Sequence, residues 1–462
     1  MILALIASHV ICSKGPEPVT ISHVNVVDVL SGHVRRDVTV RVRDGLIESI
    51  SGPSKIPDPS AVDGSGKYLI PGLWDCHVHC WSDQIFFPLF LANGVTGIRD
   101  MFGSAPMLAK WRKDVDTGAT VGPRIYYSGP IVDGPKPIWP GSIAVGTAEQ
   151  GKQAVDKVQA MGCDFVKVYS LLPREAYFAI AEEAKKRNID FEGHVPNAIT
   201  AVEASKAGQK SFEHLYSVLA GCCDKETELL NDPSLTRMQK VRAMLDSYNS
   251  RKASSLFAVF KKNGTWQCPT LTVLNSIANL DQPAFLKDPR LSFLPNWITS
   301  SWDPSKDFRL KALKSEDYEA MRLRLQKEEQ VVGEMAKSGV KMLAGTDTPN
   351  PYAFPGFGLH DELALMVKSG LSPLQALQTA TINPARFFGI EKSTGSIQVG
   401  KAADLVLLDA NPLVDIHNTT RISAVFVRGR MLDRAALDKM LKPRDKVTSA
   451  RPTQLWGLDI GE

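Results

Sequence analysis

Between Pro18 and Ser51 apolar and polar positions alternate in short runs: Val19-Thr20-Ile21, Val26-Val27-Asp28-Val29, then Val38-Thr39-Val40-Arg41-Val42. Alternation with period two is the mark of a half-buried strand, and Asp44-Gly45 before Leu46-Ile47 supplies a tight hairpin turn. Similar runs return near the other end, over residues 404–409 and 422–430. Two β-rich ends around one long centre predict a small β-sandwich domain built from both termini, residues 16–66 with 395–450.

The centre reads differently. Short apolar runs alternate with stretches of helical periodicity, which is the pattern of parallel βα units. The runs lie at 69–79, 94–101, 124–128, 164–169, 190–195, 211–215, 266–271 and 341–346. Between them, residues 174–187 carry Tyr177, Ile180, Ala181 and Ala184 at i, i+3, i+4, i+7, and Ser372-Pro373 places an N-cap before a proline at the first helical position. Eight such units predict an α/β fold, a (β/α)8 TIM barrel over residues 67–394, with its active site at the C-terminal strand ends. The stretch from His214 to Asp347 exceeds what two βα units need, so a helical insertion near 221–338 is expected. Its charged part, 307–337, has Leu310, Leu313 and Leu325 as apolar points, as a lid over a pocket would.

Composition narrows the function classes. Of 462 residues 44% are hydrophobic and 23% charged, ordinary for a globular chain, and the net charge of +4 contains no run of like charges of the kind that binds nucleic acid or a membrane surface. A small-molecule partner is expected. The seven cysteines are odd in number, lack CxxC spacing and read as mostly buried thiols. Residues 1–12 are apolar but too short to span a bilayer. They fit a clipped export signal or an N-terminal strand equally, so the compartment stays open between cytoplasm and export; homo-oligomerisation is equally open.

The candidate chemistry sits at the ends of the expected strands. Period-two alternation sends Asp75, His77 and His79 of the first to one side, with Cys76 and Val78 facing the helices. Two imidazoles two residues apart can grip one ion, although an isolated HxH is weak evidence and is equally met by packing histidines. Lys167 shares inward parity with Phe165 and Tyr169, and an inward ammonium needs a partner or access to the barrel mouth. Further strands end in Glu192-Gly193-His194, Glu213-His214 and Gly345-Thr346-Asp347. Singly these fit a core histidine, a capping histidine and an N-cap aspartate; together, beside the HxH pair, they point to a metal site. His360, next to Asp361 and ahead of a helical run, reads as capping or packing.

With Leu69-Ile70-Pro71-Gly72-Leu73-Trp74-Asp75-Cys76-His77-Val78-His79, Ser211-Phe212-Glu213-His214, Ala344-Gly345-Thr346-Asp347 and the run from Gly395 to Leu405, the chain resembles the amidohydrolase superfamily, in its imidazolonepropionase-like and Xaa-Pro dipeptidase-like branch. The resemblance implies two divalent ions, most often zinc, with His77, His79 and Asp347 on one, His194 and His214 on the other, and Lys167, carboxylated by carbon dioxide, between them. It implies hydrolysis of an amide by a bridging hydroxide, with a dipeptide or N-acyl amino acid as substrate and Asp347 as proton carrier. Tyr169 then binds substrate or the developing oxyanion, or simply packs. Two rivals stand beside this: a mononuclear cyclic-amide hydrolase or deaminase, which would not need Lys167, and a barrel that serves only as a scaffold.

Overall fold

The computed structural model describes residues 17–53, 58–226, 229, 232, 234–283 and 285–442, and a short antiparallel pair, Gln454–Leu455 with Leu458–Asp459. The apolar segment 1–12 and the last residues assigned to the β domain lie outside them.

Strands from both ends of the chain pair in one eight-stranded sheet, in the order Arg430–Asp433, Ile422–Val427, Leu405–Leu408, Tyr68–Pro71, Val19–Val27, Val34–Arg43 and Leu46–Ser51, with Val62–Asp63 also on Val19–Val27. Leu405–Leu408 runs antiparallel to Tyr68–Pro71, which joins the two terminal segments. Alternation decides which core each residue enters. Leu69, Leu405, Leu407 and Phe426 pack in a small core of the sheet's own, whereas Ile70, Val406, Leu408 and Val425 pack into the large core of the centre. Both faces are therefore covered, and that is why these strands read as continuous apolar runs. Ile47, at one end of the strand order, shares the small core with Phe426 from near the other end.

The centre is built of parallel strands and helices in alternation. Leu73–Val78, Val95–Asp100 and Arg124–Tyr127 form one parallel sheet; Ile143–Ala144, Ile131–Asp133, Phe165–Val168, Asp190–Gly193, Ser211–Glu213 and Trp266–Cys268 form another. The third expected run, 124–128, is met by Arg124–Tyr127, an additional strand Ile131–Asp133 that follows it belongs to the other sheet, and Asp164 N donates to Tyr127 O at 2.9 Å across the gap between the sheets. The eighth expected strand is not an extended ladder. Residues 341–348 make isolated parallel bridges, Met342 with Gln267 and Thr348 with Val78. Helix Arg174–Arg187 has the bounds the periodicity predicts, and Ser372 caps the helix Pro373–Thr379. Six free cysteines, all buried, match the expectation; Cys12 is outside the described residues.

The alternation expected of the first strand fails. Its pairing with Val95–Asp100 slips between Asp75 and Val78, and such a bulge breaks period two. Cys76 consequently does not face the helices. It packs with Trp74, Trp266, Cys268 and Leu343, while Asp75 is tied to the eighth segment by Thr346 N at 3.0 Å and Thr346 Oγ1 at 2.7 Å.

Beyond Trp266–Cys268 the insertion consists of Leu271–Ala278, short helical turns between residues 285 and 302, and the long helix Ser315–Lys337. Among the described residues no helix is long and apolar enough to cross a membrane.

Candidate metal centre

The residues singled out from the sequence come together. His77, His79, Lys167, Tyr169, His194, His214 and Asp347 all line one cavity of about 320 Å³ at the C-terminal ends of the strands. Two of them are held there by unusual backbone. His214 and Asp347 follow their strands in the left-handed region, at φ 63° and 59°, as does Thr270 at 50°. Non-glycine residues enter that region rarely, and where they cluster the conformation usually serves a site. Gly193 brings its strand close enough to Phe165–Val168 that a Cβ would run into Val168 O and lie 2.9 Å from Lys167 Cδ. Gly345 does the same beside the first strand, where a Cβ would meet Cys268 Sγ at 2.5 Å and His77 Cβ at 2.7 Å.

Three of the imidazoles are fixed through Nδ1: His77 by Glu213 Oε2 at 2.7 Å, His194 by Ser170 Oγ at 2.8 Å and His214 by Thr270 Oγ1 at 2.6 Å. Such partners set ring orientation and leave Nε2 for a ligand. His77 Nε2 lies 3.4 Å from Asp347 Oδ1, His79 Nε2 lies 2.9 Å from the same oxygen, and His214 Nε2 lies 3.9 Å from Oδ2. The His194 and His214 rings are 4.7 Å apart. Burial pushes His77 and His194 well below the ordinary imidazole range and His214 down to about 4, which keeps them neutral with a lone pair to offer. Burial works to raise Asp347, but the facing imidazoles of His77, His79 and His214 hold it well below the usual carboxylate range.

Lys167 is 1% exposed and, among the described residues, makes no hydrogen bond or ion pair. Burial lowers its pKa to about 8, against the pull of Glu213 and Asp347. Tyr169 stacks on His194 with ring centres 3.9 Å apart, and its hydroxyl accepts from Trp139 Nε1 at 2.9 Å. His360 plays the packing part expected of it, between Thr419 Oγ1 and Asn93 O.

The donor set fits a divalent cation. One ligand atom each from His77, His214 and Asp347 lie within 4.8 Å of one another, and neutral imidazole with carboxylate is the chemistry such ions take. Glu213 and Cys268 approach His77 to a similar degree. They are poorer ligands, since burial drives the Cys268 thiol up and Glu213 is already neutralised by Arg99.

Arg99 was not foreseen from the sequence. Fully buried, it donates to Glu192 at 2.6 Å, to Glu213 at 2.8 and 2.9 Å and to Ser211 at 2.9 Å, so a single guanidinium is shared by two acids close in sequence to His194 and His214. The available signal was weak: two acids next to, or two before, the strand-end histidines, and one arginine within an apolar strand. Also unforeseen was an aromatic wall of Trp81, Trp139, Trp297 and Trp302 with Phe102 and Phe308, and beside it Lys306 and the pair of Arg309 with Asp307 at 2.6 Å.

The family model described as "Amidohydrolase family" matches residues 68–432. Ochratoxinase of Aspergillus niger is 23% identical over 88% of this chain and 84% of its own length. The crystal structure of A. niger ochratoxinase superposes with a TM-score of 0.63 at 20% identity, covering 91% of this chain and 95% of that one. A bottromycin amidohydrolase gives a TM-score of 0.75 at 23% identity, over 92% and 89% of the two chains. A Xaa-Pro dipeptidase with methionine in its active site gives 0.65 at 18% identity, over 90% and 100%. These likenesses give the centre a TIM-barrel-type fold with an added domain.

Proposed function

Because the chain belongs to the amidohydrolase family, we propose that it is a metal-dependent hydrolase that cleaves amide C–N bonds in peptides or N-acyl amino acids. The observation that carries the reading is the convergence of four histidines, one lysine and one aspartate on a single cavity. In this reading residues 67–394 are the catalytic unit, with their eight strand segments closed into one ring; the bonds Cys76 N to Ala344 O and Gln267 N to Lys341 O, both 2.9 Å, support that closure. Residues 16–66 and 395–450 are the β domain.

His77, His79 and Asp347 would hold one divalent ion, expected to be zinc, and His194 with His214 a second, with Lys167 between them as a carbamate. A lysine near its neutral form is the species that takes up carbon dioxide, and an anion there answers the charge of two dications where an ammonium would repel them. When bound, such ions acidify water and polarise a carbonyl oxygen. The chain does the rest. Asp347, ionised and facing His79, takes the proton of the attacking water and delivers it to the leaving nitrogen. Tyr169, its oxygen held by Trp139, donates toward the developing oxyanion. The tryptophan wall receives an aromatic or apolar side chain, and Lys306 complements a substrate carboxylate; the name of the Xaa-Pro dipeptidase fits a peptide amide. The one-ion reading rests on His77, His214 and Asp347, which by themselves form a ligand-spaced triad.

Elemental analysis of protein purified without chelator, beside activity on a panel of dipeptides and N-acyl amino acids, tests the reading. About two ions per chain with amide cleavage is the expected result. About one ion would favour the mononuclear rival, and none, with no cleavage, the scaffold.

A further inference from the structure

The helical insertion encloses a second chamber, of about 440 Å³, that shares Arg309 with the cavity at the strand ends. Part of its lining is apolar: Val241 and Met244 from helix Arg237–Asp246, Leu274 and Ile277 from helix Leu271–Ala278, Met321 and Leu325 from helix Ser315–Lys337. Ile277 packs on a small apolar cluster around Leu280, Leu310 and Tyr318, Val241, Met244 and Leu325 belong to the main core, and Met321 packs against both. The chamber therefore lies where two apolar clusters meet, and its size falls within the roughly 300–1,000 Å³ typical of small-molecule sites.

The cations on its lining are mostly paired: Arg237 with Asp317, Arg309 with Asp307 and Arg324 with Glu328, with Lys240 beside them. Arg324 Nε donates to Glu328 Oε1 at 2.7 Å and its guanidinium sits 4.9 Å over the Tyr216 ring. Its Nη2 is buried and has no hydrogen-bond partner among the described residues. An unmet buried donor is costly, and the forked guanidinium is shaped for a carboxylate. Tyr216 links the chamber to the ligand residues: its ring centre lies 5.5 Å from that of His214 and 6.2 Å from that of His194.

We propose that this chamber binds a lipophilic monocarboxylate, an unbranched apolar chain along the leucine and methionine walls with its carboxylate on Arg324. The apolar residues of the lining disfavour a compact phosphate metabolite, and the unmet Nη2 donor of Arg324 calls for an acceptor group on the ligand. The carboxylate belongs either to a free acid or to a long arm of the amide substrate; the recognition chemistry is the same.

Equilibrium dialysis of the full-length, metal-loaded protein with labelled decanoate tests this, with acetate as the short-chain control. Saturable binding of one decanoate per chain, at least a hundredfold tighter than acetate, is expected. Ile277→Trp, which fills the chamber, and the double variant Arg324→Met with Glu328→Gln, which removes the cation without stranding a buried acid, should each weaken binding at least tenfold while metal content is kept. If one variant does not fold, the other decides. No saturable binding up to millimolar decanoate, or undiminished binding in a folded variant, overturns the proposal. Competitive inhibition of amide hydrolysis by decanoate assigns the carboxylate to the substrate's arm, and any other pattern to a free acid. The dialysis needs no turnover, so it stands even if amide hydrolysis is not observed.

Discussion

An ammonium taken out of water without a close partner is unfavourable by several kcal/mol, yet Lys167 sits 1% exposed with no hydrogen bond or ion pair among the described residues, Glu213 and Asp347 acting on it only from beyond contact. In the proposed reading, conversion to a carbamate would remove that conflict and make the side chain a ligand. Asp347 makes the complementary demand, since it must stay anionic in a buried place, and the three imidazoles facing it provide for that. Asp347→Asn should lower turnover by roughly 10²–10⁴-fold, the range for loss of a proton carrier. The four histidines remain, so elemental analysis should find most of the metal retained; unchanged turnover would refute the assigned role. Arg99 answers Glu192 and Glu213 at once, and Glu213 in turn holds His77. Arg99→Met strands two buried acids, so unfolding in denaturant should show a loss of about 3–5 kcal/mol. That loss should come with weaker metal retention.

At the scale of elements, the site depends on how each strand hands over to the next helix. After His194 the chain enters helix Ala201–Ala207 through a capping box, in which Thr200 Oγ1 accepts from Glu203 N and Thr200 N donates to Glu203 Oε2. Arg174, from the preceding helix, holds the same carboxylate and lowers its pKa to about 2. Because the folded value is depressed below the ordinary 4.5, the stabilisation is fully present above pH 4.5 and is lost as pH falls from there to about 2. Glu203→Gln should therefore lower the melting temperature at neutral pH by about two degrees or less, as befits a partly exposed pair. The gap from the unaltered protein should close toward pH 2, and a gap constant with pH would count against the assignment. Elsewhere local pattern was a good guide where a helix or a two-faced strand was unbroken, as in Arg174–Arg187 and Leu405–Leu408. It misled where a bulge intervened, at Cys76, and where a segment bridges its neighbours without forming a ladder, at 341–348.

At the scale of the whole molecule, the cavity that would receive the substrate in the proposed reading is lined by parts distant in sequence. Trp297, from the insertion, stacks on Trp81, just beyond the first strand, with ring centres 6.1 Å apart and planes at 25°. Both line the cavity. Removing one face of such a wall loses binding shared by ground and transition state, so Trp297→Ala should raise KM about tenfold for N-acyl amino acids with aromatic side chains. kcat should change little, and alanine-bearing analogues should be much less affected in the same steady-state assay.

The sequence by itself determined which ligand-type residues stand at strand ends, and in what order. It also determined the β-rich termini and the βα alternation of the centre, because each of these is a matter of period and neighbour along the chain. Only the tertiary structure decided what meets across it. His77 finds Glu213 at a separation of 136 residues, and Arg99 finds Glu192 and Glu213 at 93 and 114. A buried charge is tolerable only with its partners, and partners so far apart leave no periodic trace. The second chamber is equally invisible to pattern, since its leucines and methionines read as core in any window. Space between two packed clusters is a property of the fold, fixed by how far the insertion helices can approach the barrel before their side chains touch.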